Sequence, residues 1–130
     1  MKLEDYVSAV YQHGGSVVLW HYTDSRGLRG ICESGVLLPS LREVNPKDAR
    51  YGDGQYFTDI PPWAMSLTQL SRRLVGVPWL GRRFTRYVGV DVTGLVLVPC
   101  RESIILVRGR EPLVLDGRIV CLGANEWSGT

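Results

Sequence analysis

The apolar residues of the C-terminal half are grouped in a way that leaves few folds open. They fall in four short stretches rich in β-branched residues and separated by glycine, proline or charged residues, at 86–92, 96–98, 103–107 and 114–120. Stretches of this length between turn-forming residues are typical of β-strands. The second half of the chain is therefore predicted to be mainly sheet.

Helices are predicted in the first half. The apolar spacing over residues 3–12 predicts an amphipathic helix that packs on the domain as a short extension. Residues 17–22 are β-branched or aromatic and predict a buried strand. Thr23 or Asp24 can cap a following helix, which ends at Gly35 in the position where glycine commonly terminates helices.

A glycine-rich bend separates this helix from a third one. Gly52 and Gly54 form the bend, and residues 55–57 predict a short strand. Proline is tolerated in the first turn of a helix, so Pro61-Pro62 can start the third helix. Leucines at i, i+3 and i+7 then extend that helix over about 63–75.

Size and composition fit one globular domain. The chain has 130 residues, of which 45% are hydrophobic and 22% charged, and it is too short for two enzyme domains. We divide it into a helical extension (1–16), an α+β domain (17–123) and a loose C-terminal tail (124–130). The net charge of +2 is too small to indicate nucleic-acid binding, so any basic site must be local.

Targeting and metal-binding motifs were also considered. No apolar stretch approaches the ~20 residues of a membrane-spanning helix, and acidic residues near the N-terminus do not fit a signal peptide, so we expect a chain that does not export itself. Cys32, Cys100 and Cys121 are odd in number and lack a Cys-x-x-Cys pair. They are predicted to be buried thiols, with no zinc site or disulfide framework.

Two motifs contain residues that can carry chemistry. His21 ends the first predicted strand, where it is either a structural histidine or a side chain that projects into a cleft. Residues 51–59 are either a glycine turn with core tyrosines or part of a site. The Gly-x-Gly of Gly52 and Gly54 precedes a strand instead of joining a strand to a helix, which excludes a Rossmann dinucleotide turn.

The order and spacing of these motifs resemble the ADP-ribosyltransferase superfamily, in its branch of diphtheria-toxin-like and poly-ADP-ribose-polymerase-like enzymes. The strand ending in His21, the helix ending in Gly35 and the Gly-x-Gly-x-Tyr-Phe-x-Asp segment at 52–59 carry the resemblance. The chain is most similar to the toxin domain with a His-Tyr-Asp signature found in bacterial polymorphic toxins. Further stretches typical of that domain are 45–56, 83–85, 90–95 and 117–120.

The resemblance covers about residues 17–123 and implies both a fold and an activity. The fold is α+β, with two packed, mainly antiparallel sheets that form an NAD cleft and two or three short helices. The activity is transfer of one ADP-ribose from NAD+, with no metal, to a macromolecular acceptor that is either protein or nucleic acid. The alternatives are an NAD+ glycohydrolase toxin and an inactive module that binds ADP-ribose or nucleic acid.

The resemblance also assigns roles to residues. His21 is expected to bind the adenine-side ribose, the backbone of Tyr22 the nicotinamide amide, and the ring of Tyr56 the nicotinamide ring. Glu102, directly before a predicted strand, is expected to contact the nicotinamide-side ribose, with Asp91 as its rival because it keeps the aspartate of the signature. The other predicted donor-binding residues lie in the same two motifs: Thr23, Tyr51, Gly52 and Gly54.

One part of the sequence concentrates arginines among aromatic residues. Its members are Arg72, Arg73, Arg82, Arg83 and Arg86, with Trp79, Phe84 and Tyr87 between or beside them. This set is either a solvated face around a loop or a surface that grips phosphates and bases of the acceptor.

The resemblance further implies the biological setting. A toxin of this kind has an immunity protein or antitoxin as a partner and does not act on membranes. It acts in the cytoplasm of the producer or of a target cell, and delivery inside a larger secreted toxin is one route.

Overall fold

The computed structural model describes residues 16–125, and the helix predicted over residues 3–12 lies outside them. The described residues form two α-helices, one 3-10 helix and eight strands, which are arranged in three small antiparallel sheets. The predicted α+β class with mainly antiparallel sheets is confirmed. Two of the sheets have three strands, and the third, which the sequence did not predict, has only two.

The elements follow one another along the chain with short connections. In order they are β1 Val18–Thr23, α1 Ser25–Ser34, β2 Val36–Leu37, β3 Gly54–Phe57, α2 Leu67–Val75, the 3-10 helix Gly81–Phe84, β4 Arg86–Asp91, β5 Val98–Arg101, β6 Ile104–Arg108, β7 Leu113–Val114 and β8 Ile119–Ala124. The sheets have the strand orders β1-β4-β8, β3-β6-β5 and β2-β7.

The two three-stranded sheets meet where β1 approaches β3. Trp20 and Thr58 exchange two backbone hydrogen bonds, each 2.9 Å between nitrogen and oxygen. His21 follows Trp20 on β1, and Tyr56 lies two residues before Thr58. This junction therefore brings the two motifs of the sequence together.

Helix α1 forms as predicted because both of its ends are capped. The carboxylate of Asp24 accepts a hydrogen bond of 2.8 Å from the Gly27 amide, which satisfies an unpaired donor of the first turn. At the other end Gly35 takes a left-handed φ of 71°, and its amide donates to the Ile31 carbonyl at 2.8 Å.

Helix α2 begins later than predicted. Its first residue is Leu67, because Ser66 and Gln69 cap it reciprocally through side chain and backbone. Pro61-Pro62 lies in a turn before the helix, and Trp63 has a φ of 71°, which a right-handed helix excludes. The predicted start near residue 63 is therefore wrong, whereas the predicted end near Val75 is correct.

The predicted strands are correct in part. Those predicted at 86–92 and 103–107 match β4 and β6 within one residue, and the one predicted at 96–98 lies later, as β5. The stretch 114–120 is two strands in different sheets, β7 and β8. Leu115 is buried between them, and Gly117, with a φ of 73°, turns the chain. The apolar residues on both sides hide the turn, which is marked only by Gly117 and the two charged residues beside it.

Two apolar clusters hold the fold together. The smaller one packs α2 and the 3-10 helix against β1 and the segment after β3; its buried members are Tyr22, Ile60, Leu70 and Phe84. The larger one joins α1 to the sheets; its buried members are Val17, Leu19, Ile31, Leu37, Phe57, Val88, Val90, Val92, Leu97, Ile105 and Leu115.

A buried glutamine links sheets that no shared strand connects. The Gln55 side-chain amide donates to the carbonyl of Leu37 at 3.1 Å and to that of Glu111 at 2.9 Å. Gln55 is thereby satisfied although it is 3% exposed. It ties β3 to the two-stranded β2-β7 sheet.

Two features of the chain differ from the sequence prediction. The cysteines are not buried: Cys32 and Cys121 are exposed and Cys100 is half-buried, because Cys32 lies on the outer side of α1 and Cys121 lies on the edge strand β8. The packed part of the chain also extends beyond residue 123, since Ala124 belongs to β8 and Asn125 is fully buried.

Candidate active site

A cleft of about 330 Å³ lies at the junction of β1 and β3. The strand ends form one side of it, and the loop before β3, the end of α2 and the 3-10 helix form the other. Residues from the strands that line it are Trp20, His21, Tyr22, Thr23, Tyr56, Phe57, Thr58 and Ile104. A cleft of this size, in which aromatic side chains lie beside polar and charged groups, is suited to a small-molecule ligand.

His21 is held in one tautomer inside the cleft. Its Nδ1 lies 2.9 Å from the Tyr56 carbonyl oxygen, and because a carbonyl only accepts, Nδ1 carries the hydrogen and donates it. Burial lowers the pKa of the imidazole, although this hydrogen bond opposes the shift. The ring is therefore neutral at pH 7, and Nε2 is left as a hydrogen-bond acceptor.

The hydroxyl of Tyr56 closes the glycine bend that precedes β3. It donates to the Gly52 carbonyl at 2.7 Å and accepts from the Tyr51 amide at 2.9 Å. Burial raises the pKa of this hydroxyl, which keeps it protonated as a donor. With the hydroxyl anchored to backbone, the ring of Tyr56 is fixed against the cleft.

Tyr22 contributes differently, because its side chain faces the smaller apolar cluster. Its hydroxyl donates to the Ile60 carbonyl at 2.8 Å, and its ring meets the Phe84 ring edge-on with centroids 6.4 Å apart. Burial raises the pKa of the hydroxyl. The side chain is used in packing, so the backbone of Tyr22 is what remains for a ligand.

The opposite side of the cleft carries charge that the sequence analysis did not assign to donor binding. Lys47, Asp48 and Arg50 of the loop before β3 line it together with Arg83 of the 3-10 helix. The Arg83 guanidinium donates to the Asp48 carboxylate at 2.7 Å, across 35 residues of sequence. The resemblance of residues 45–56 to the toxin family was the sequence feature that could have assigned this loop to the site.

Glu102 lies beside the cleft but does not line it. It occupies the turn between β5 and β6, with its side chain 83% exposed and its Oε1 3.5 Å from Nη1 of Arg73. Ile104, two residues later, is in the lining. Glu102 therefore lies in the turn two residues before the start of β6, and its contact with the nicotinamide-side ribose stays a prediction.

Asp91 is further from the cleft. It ends β4, opposite Val18, whereas His21 lies opposite Val88; three residues along a strand separate these positions by about 10 Å. Its Oδ1 accepts from the Thr93 amide at 2.9 Å, and hydrogen bonds from Thr93 lower the pKa of the carboxyl. The arrangement is that of a turn cap.

The two glycines of the motif are absent from the cleft lining among the described residues. A Cβ on Gly54 would lie 2.1 Å from the Val107 carbonyl oxygen, and its φ is 150°. Gly54 is therefore needed for the close pairing of β3 with β6. Gly52 has a φ of 118° and supplies the carbonyl that Tyr56 binds. The cleft thus brings together His21, Tyr22, Thr23, Tyr51 and Tyr56.

A further carboxylate lies just after the pocket-lining part of β3. Asp59 follows Thr58, and its Oδ1 is buried without a hydrogen-bond partner among residues 16–125. Continuing the β3–β6 register places Asp59 opposite Ser103, next to Glu102. The sequence analysis included Asp59 in the motif but gave it no role.

No three His, Cys, Asp or Glu side chains among residues 16–125 are grouped so that they could hold a metal ion. In the same part of the chain, no helix has the length and apolar character needed to cross a membrane.

Comparison with known proteins identifies a family for most of the chain. Residues 19–119 match the family model described as HYD1 signature containing ADP-ribosyltransferase. The matched range begins in β1 before His21 and ends at the start of β8, so it includes both sides of the cleft. No curated protein and no solved structure matches the chain. The family match covers well over half of the sequence, and the chain therefore belongs to the family of ADP-ribosyltransferase toxins with the HYD1 signature.

Proposed function

We propose that this protein is a mono-ADP-ribosyltransferase that transfers ADP-ribose from NAD+ to a macromolecule of the cell in which it acts. The observation that carries the proposal is the joining of His21 and Tyr56 in one cleft, through the hydrogen bond from the imidazole to the Tyr56 carbonyl. That bond fixes an acceptor nitrogen and an aromatic ring relative to each other, as a dinucleotide site requires.

The groups in the cleft suit the two nucleoside ends of NAD+. The free Nε2 of neutral His21 can accept a hydrogen bond from a ribose hydroxyl, which family resemblance assigns to the adenine side. The ring of Tyr56 can stack on the nicotinamide, because the electron-rich face of tyrosine attracts a pyridinium cation. Anchoring of the Tyr56 hydroxyl keeps that ring in place before the donor binds.

The charged side of the cleft suits the pyrophosphate. Lys47, Arg50 and Arg83 supply cations, and a guanidinium binds phosphate oxygens through paired hydrogen bonds. In the structure Arg83 is bound to Asp48. We expect a pyrophosphate to compete with that carboxylate for the arginine.

The reaction depends on electrostatic stabilisation of the transition state more than on proton transfer to the leaving group. The bond between the ribose C1′ and the pyridine nitrogen breaks with its electron pair on nitrogen, so nicotinamide leaves neutral. A lone pair of the acceptor then forms the new bond to C1′, and the acceptor loses its proton to solvent. A carboxylate near C1′ stabilises the positive charge that develops on the ribose, and Glu102 is our choice for it.

Incubation with a cell extract and NAD+ labelled in its adenine-side phosphate tests the proposal. We expect label on protein or nucleic acid, with a mass increase of one ADP-ribose per modified site. His21→Ala should abolish labelling, whereas Arg29→Gln, an exposed change on α1, should retain it. Release of free ADP-ribose with no labelled macromolecule would instead identify an NAD+ glycohydrolase, and binding without any turnover an inactive module.

The toxin setting is a second part of the proposal. We expect the protein to act in the cytoplasm of the producing or target cell and to be neutralised by an immunity protein or antitoxin. Bacteria that express the wild-type chain without a partner should stop growing, and the His21→Ala variant should restore growth. Unrestricted growth with the active wild-type chain at high level would contradict this setting.

A further inference from the structure

We propose that the acceptor is a nucleic acid and that it docks on a basic concavity beside the cleft, formed by α2 and the end of β5. This proposal rests on the proposed function, because it names the acceptor class for the same reaction. We call the concavity the arginine face; it is lined by Met65, Gln69, Arg72, Arg73 and Arg101.

The arginine face gathers three guanidinium groups from two elements. Arg72 and Arg73 lie in the last turn of α2, and Arg101 ends β5. The Arg101 guanidinium donates to the Arg73 carbonyl, which fixes the end of β5 against the helix. All three residues are exposed. Arg73 is paired with Glu102, so Arg72 and Arg101 offer the charges that a partner can bind.

Charge along the chain is strongly asymmetric around this face. Residues 60–101 hold six arginines and one acidic residue, Asp91, for a net charge of +5. The rest of the chain holds nine basic and twelve acidic residues, for a net charge of −3. The carboxylate of Asp91 is engaged by Thr93 at the far end of β4. Two of the six arginines, Arg73 and Arg83, are paired with Glu102 and Asp48 from outside the segment. The positive charge that remains favours a polyanionic partner.

A strained backbone holds an exposed aromatic side chain close in sequence to the first residue of this face. Trp63, two residues before Met65, is 55% exposed although its φ of 71° is unfavourable for a bulky residue. Its amide donates at 3.1 Å to the side-chain carbonyl of Asn125, which is fully buried. The hydrogen bond to buried Asn125 thus maintains an unfavourable backbone conformation at Trp63. Such maintained strain points to a role for the exposed Trp63 side chain.

The combination of groups favours nucleic acid over an acidic protein. Guanidinium forks match phosphate oxygens, and exposed indoles provide stacking platforms for unpaired bases. A second indole, Trp79, is 72% exposed in the loop after α2. Charge attraction to an acidic protein would explain the arginines but would not require either tryptophan.

The position of the arginine face fits an acceptor site. Leu74 and Val75, directly after Arg73 on α2, line the cleft, and Arg73 contacts Glu102 at 3.5 Å. A strand bound on this face would lie next to the carboxylate that we expect to stabilise the ribose. The same helix thus borders the donor on one side and the acceptor on the other.

An anisotropy titration tests the proposal. It measures how tightly the full chain binds a fluorescein-labelled, mixed-sequence single strand of 20 nucleotides over a range of salt concentrations. The double variant Arg72→Gln/Arg101→Gln should bind about tenfold more weakly or worse. It should also reduce the salt slope by about 1.4, because each lost phosphate contact removes about 0.7. The matched double variant Arg26→Gln/Arg29→Gln, which removes two exposed charges from α1, should bind like the wild type.

Trp63 provides an independent readout, because stacking is not a charge effect. Trp63→Ala should weaken binding by about five- to 100-fold without changing the salt slope, and Trp63→Phe should retain most of the affinity. Thermal melting of each variant establishes that it is folded.

Each outcome of the test separates this proposal from the proposed function. Three results would overturn the arginine face as a nucleic-acid site. They are failure of the wild type to bind the oligonucleotide, equal loss of binding in both double variants, and tighter binding of poly-glutamate than of the oligonucleotide. NAD+ turnover with label on protein alone would overturn the acceptor class and leave the transferase intact. Oligonucleotide binding as expected, without any NAD+ turnover, would overturn the proposed function and the acceptor role with it, and would leave the arginine face as a nucleic-acid binding site.

Discussion

Burial decides the protonation of His21, and this has a consequence for stability. The imidazole pKa is lowered in the folded protein from its ordinary 6.5, so the unfolded chain binds the proton more readily. We expect His21 to add no pH dependence to the free energy of unfolding above pH 6.5. That free energy should decrease as the pH falls below 6.5 toward the lowered pKa.

Urea unfolding at pH 5, 6 and 7 checks this prediction. The His21→Gln variant should lose the decrease, whereas His13→Gln, which removes the other histidine of the chain, should keep it. The carboxyls with lowered pKa, Asp53 and Asp91, start from 3.8 and therefore titrate below this window. A wild type and a His21→Gln variant with parallel pH profiles would show that His21 is not desolvated.

Tyr56 combines two tasks that substitutions can separate. Tyr56→Phe keeps the ring but removes the hydrogen bonds to Gly52 and Tyr51, so we expect a loss of about 1 kcal/mol in stability and an NAD+ affinity within a few-fold of wild type. Tyr56→Ala also removes the stacking surface and should weaken NAD+ binding by about tenfold or more. Calorimetric NAD+ titration and thermal melting measure the two effects, and equal affinities for the Phe and Ala variants would exclude stacking.

At the scale of elements, the close pairing of β3 with β6 depends on one residue without a side chain. Gly54→Ala would place a Cβ 2.1 Å from the Val107 carbonyl oxygen at a φ of 150°. We expect it to destabilise the protein by about 3 kcal/mol or more, through clash and backbone strain together. The chemical-denaturation midpoint should fall accordingly.

The matched control is a glycine with open space around it. Gly30, in the interior of α1, has no atom within 4 Å of an added Cβ. Gly30→Ala should therefore stabilise the protein by about 0.5–1 kcal/mol, because alanine has the higher helix propensity. Similar effects at both positions would mean that the clash at Gly54 is relieved by movement of β6.

At the scale of the whole molecule, the meeting of the two sheets decides which carboxylate lies beside the cleft in which we propose that NAD+ binds. Glu102 and Asp59 lie at the end of the β3-β6 pair, beside the cleft, whereas Asp91 lies at the far end of β4. Glu102→Gln should lower turnover by about 100 to 1000-fold with little change in NAD+ affinity. Asp91→Asn should leave turnover near wild type.

Steady-state kinetics with separate measurement of NAD+ binding distinguishes these carboxylates. If Glu102→Gln is fully active and folded Asp91→Asn is inactive, Asp91 is the aspartate of the His-Tyr-Asp signature. Loss of activity in Asp59→Asn alone would assign the role to the carboxylate whose oxygen is buried without a partner.

Some of this architecture could be predicted because its signals are local in sequence. The strand β1 follows from consecutive β-branched and aromatic residues, and helix α1 from Asp24 and Gly35 at its two ends. His21 and the Gly-x-Gly-x-Tyr-Phe-x-Asp segment, at a spacing typical of one family, were enough to predict the α+β fold and membership of the ADP-ribosyltransferases. Each of these signals lies within a few residues of what it specifies.

Other features depend on contacts between residues that are distant along the chain. The stretch 114–120 was read as one strand because its two halves pair with different partners. The start of α2 is an exception, because its capping box of Ser66 and Gln69 is a local signal that the sequence prediction passed over in favour of the prolines. The ion pairs of Arg83 with Asp48 and of Arg73 with Glu102 join loops to helices across 35 and 29 residues. Sequence alone therefore determined the fold class and five residues of the cleft lining. Only tertiary packing decided which charges border the cleft, since pairing over such distances is set by how the sheets and helices assemble.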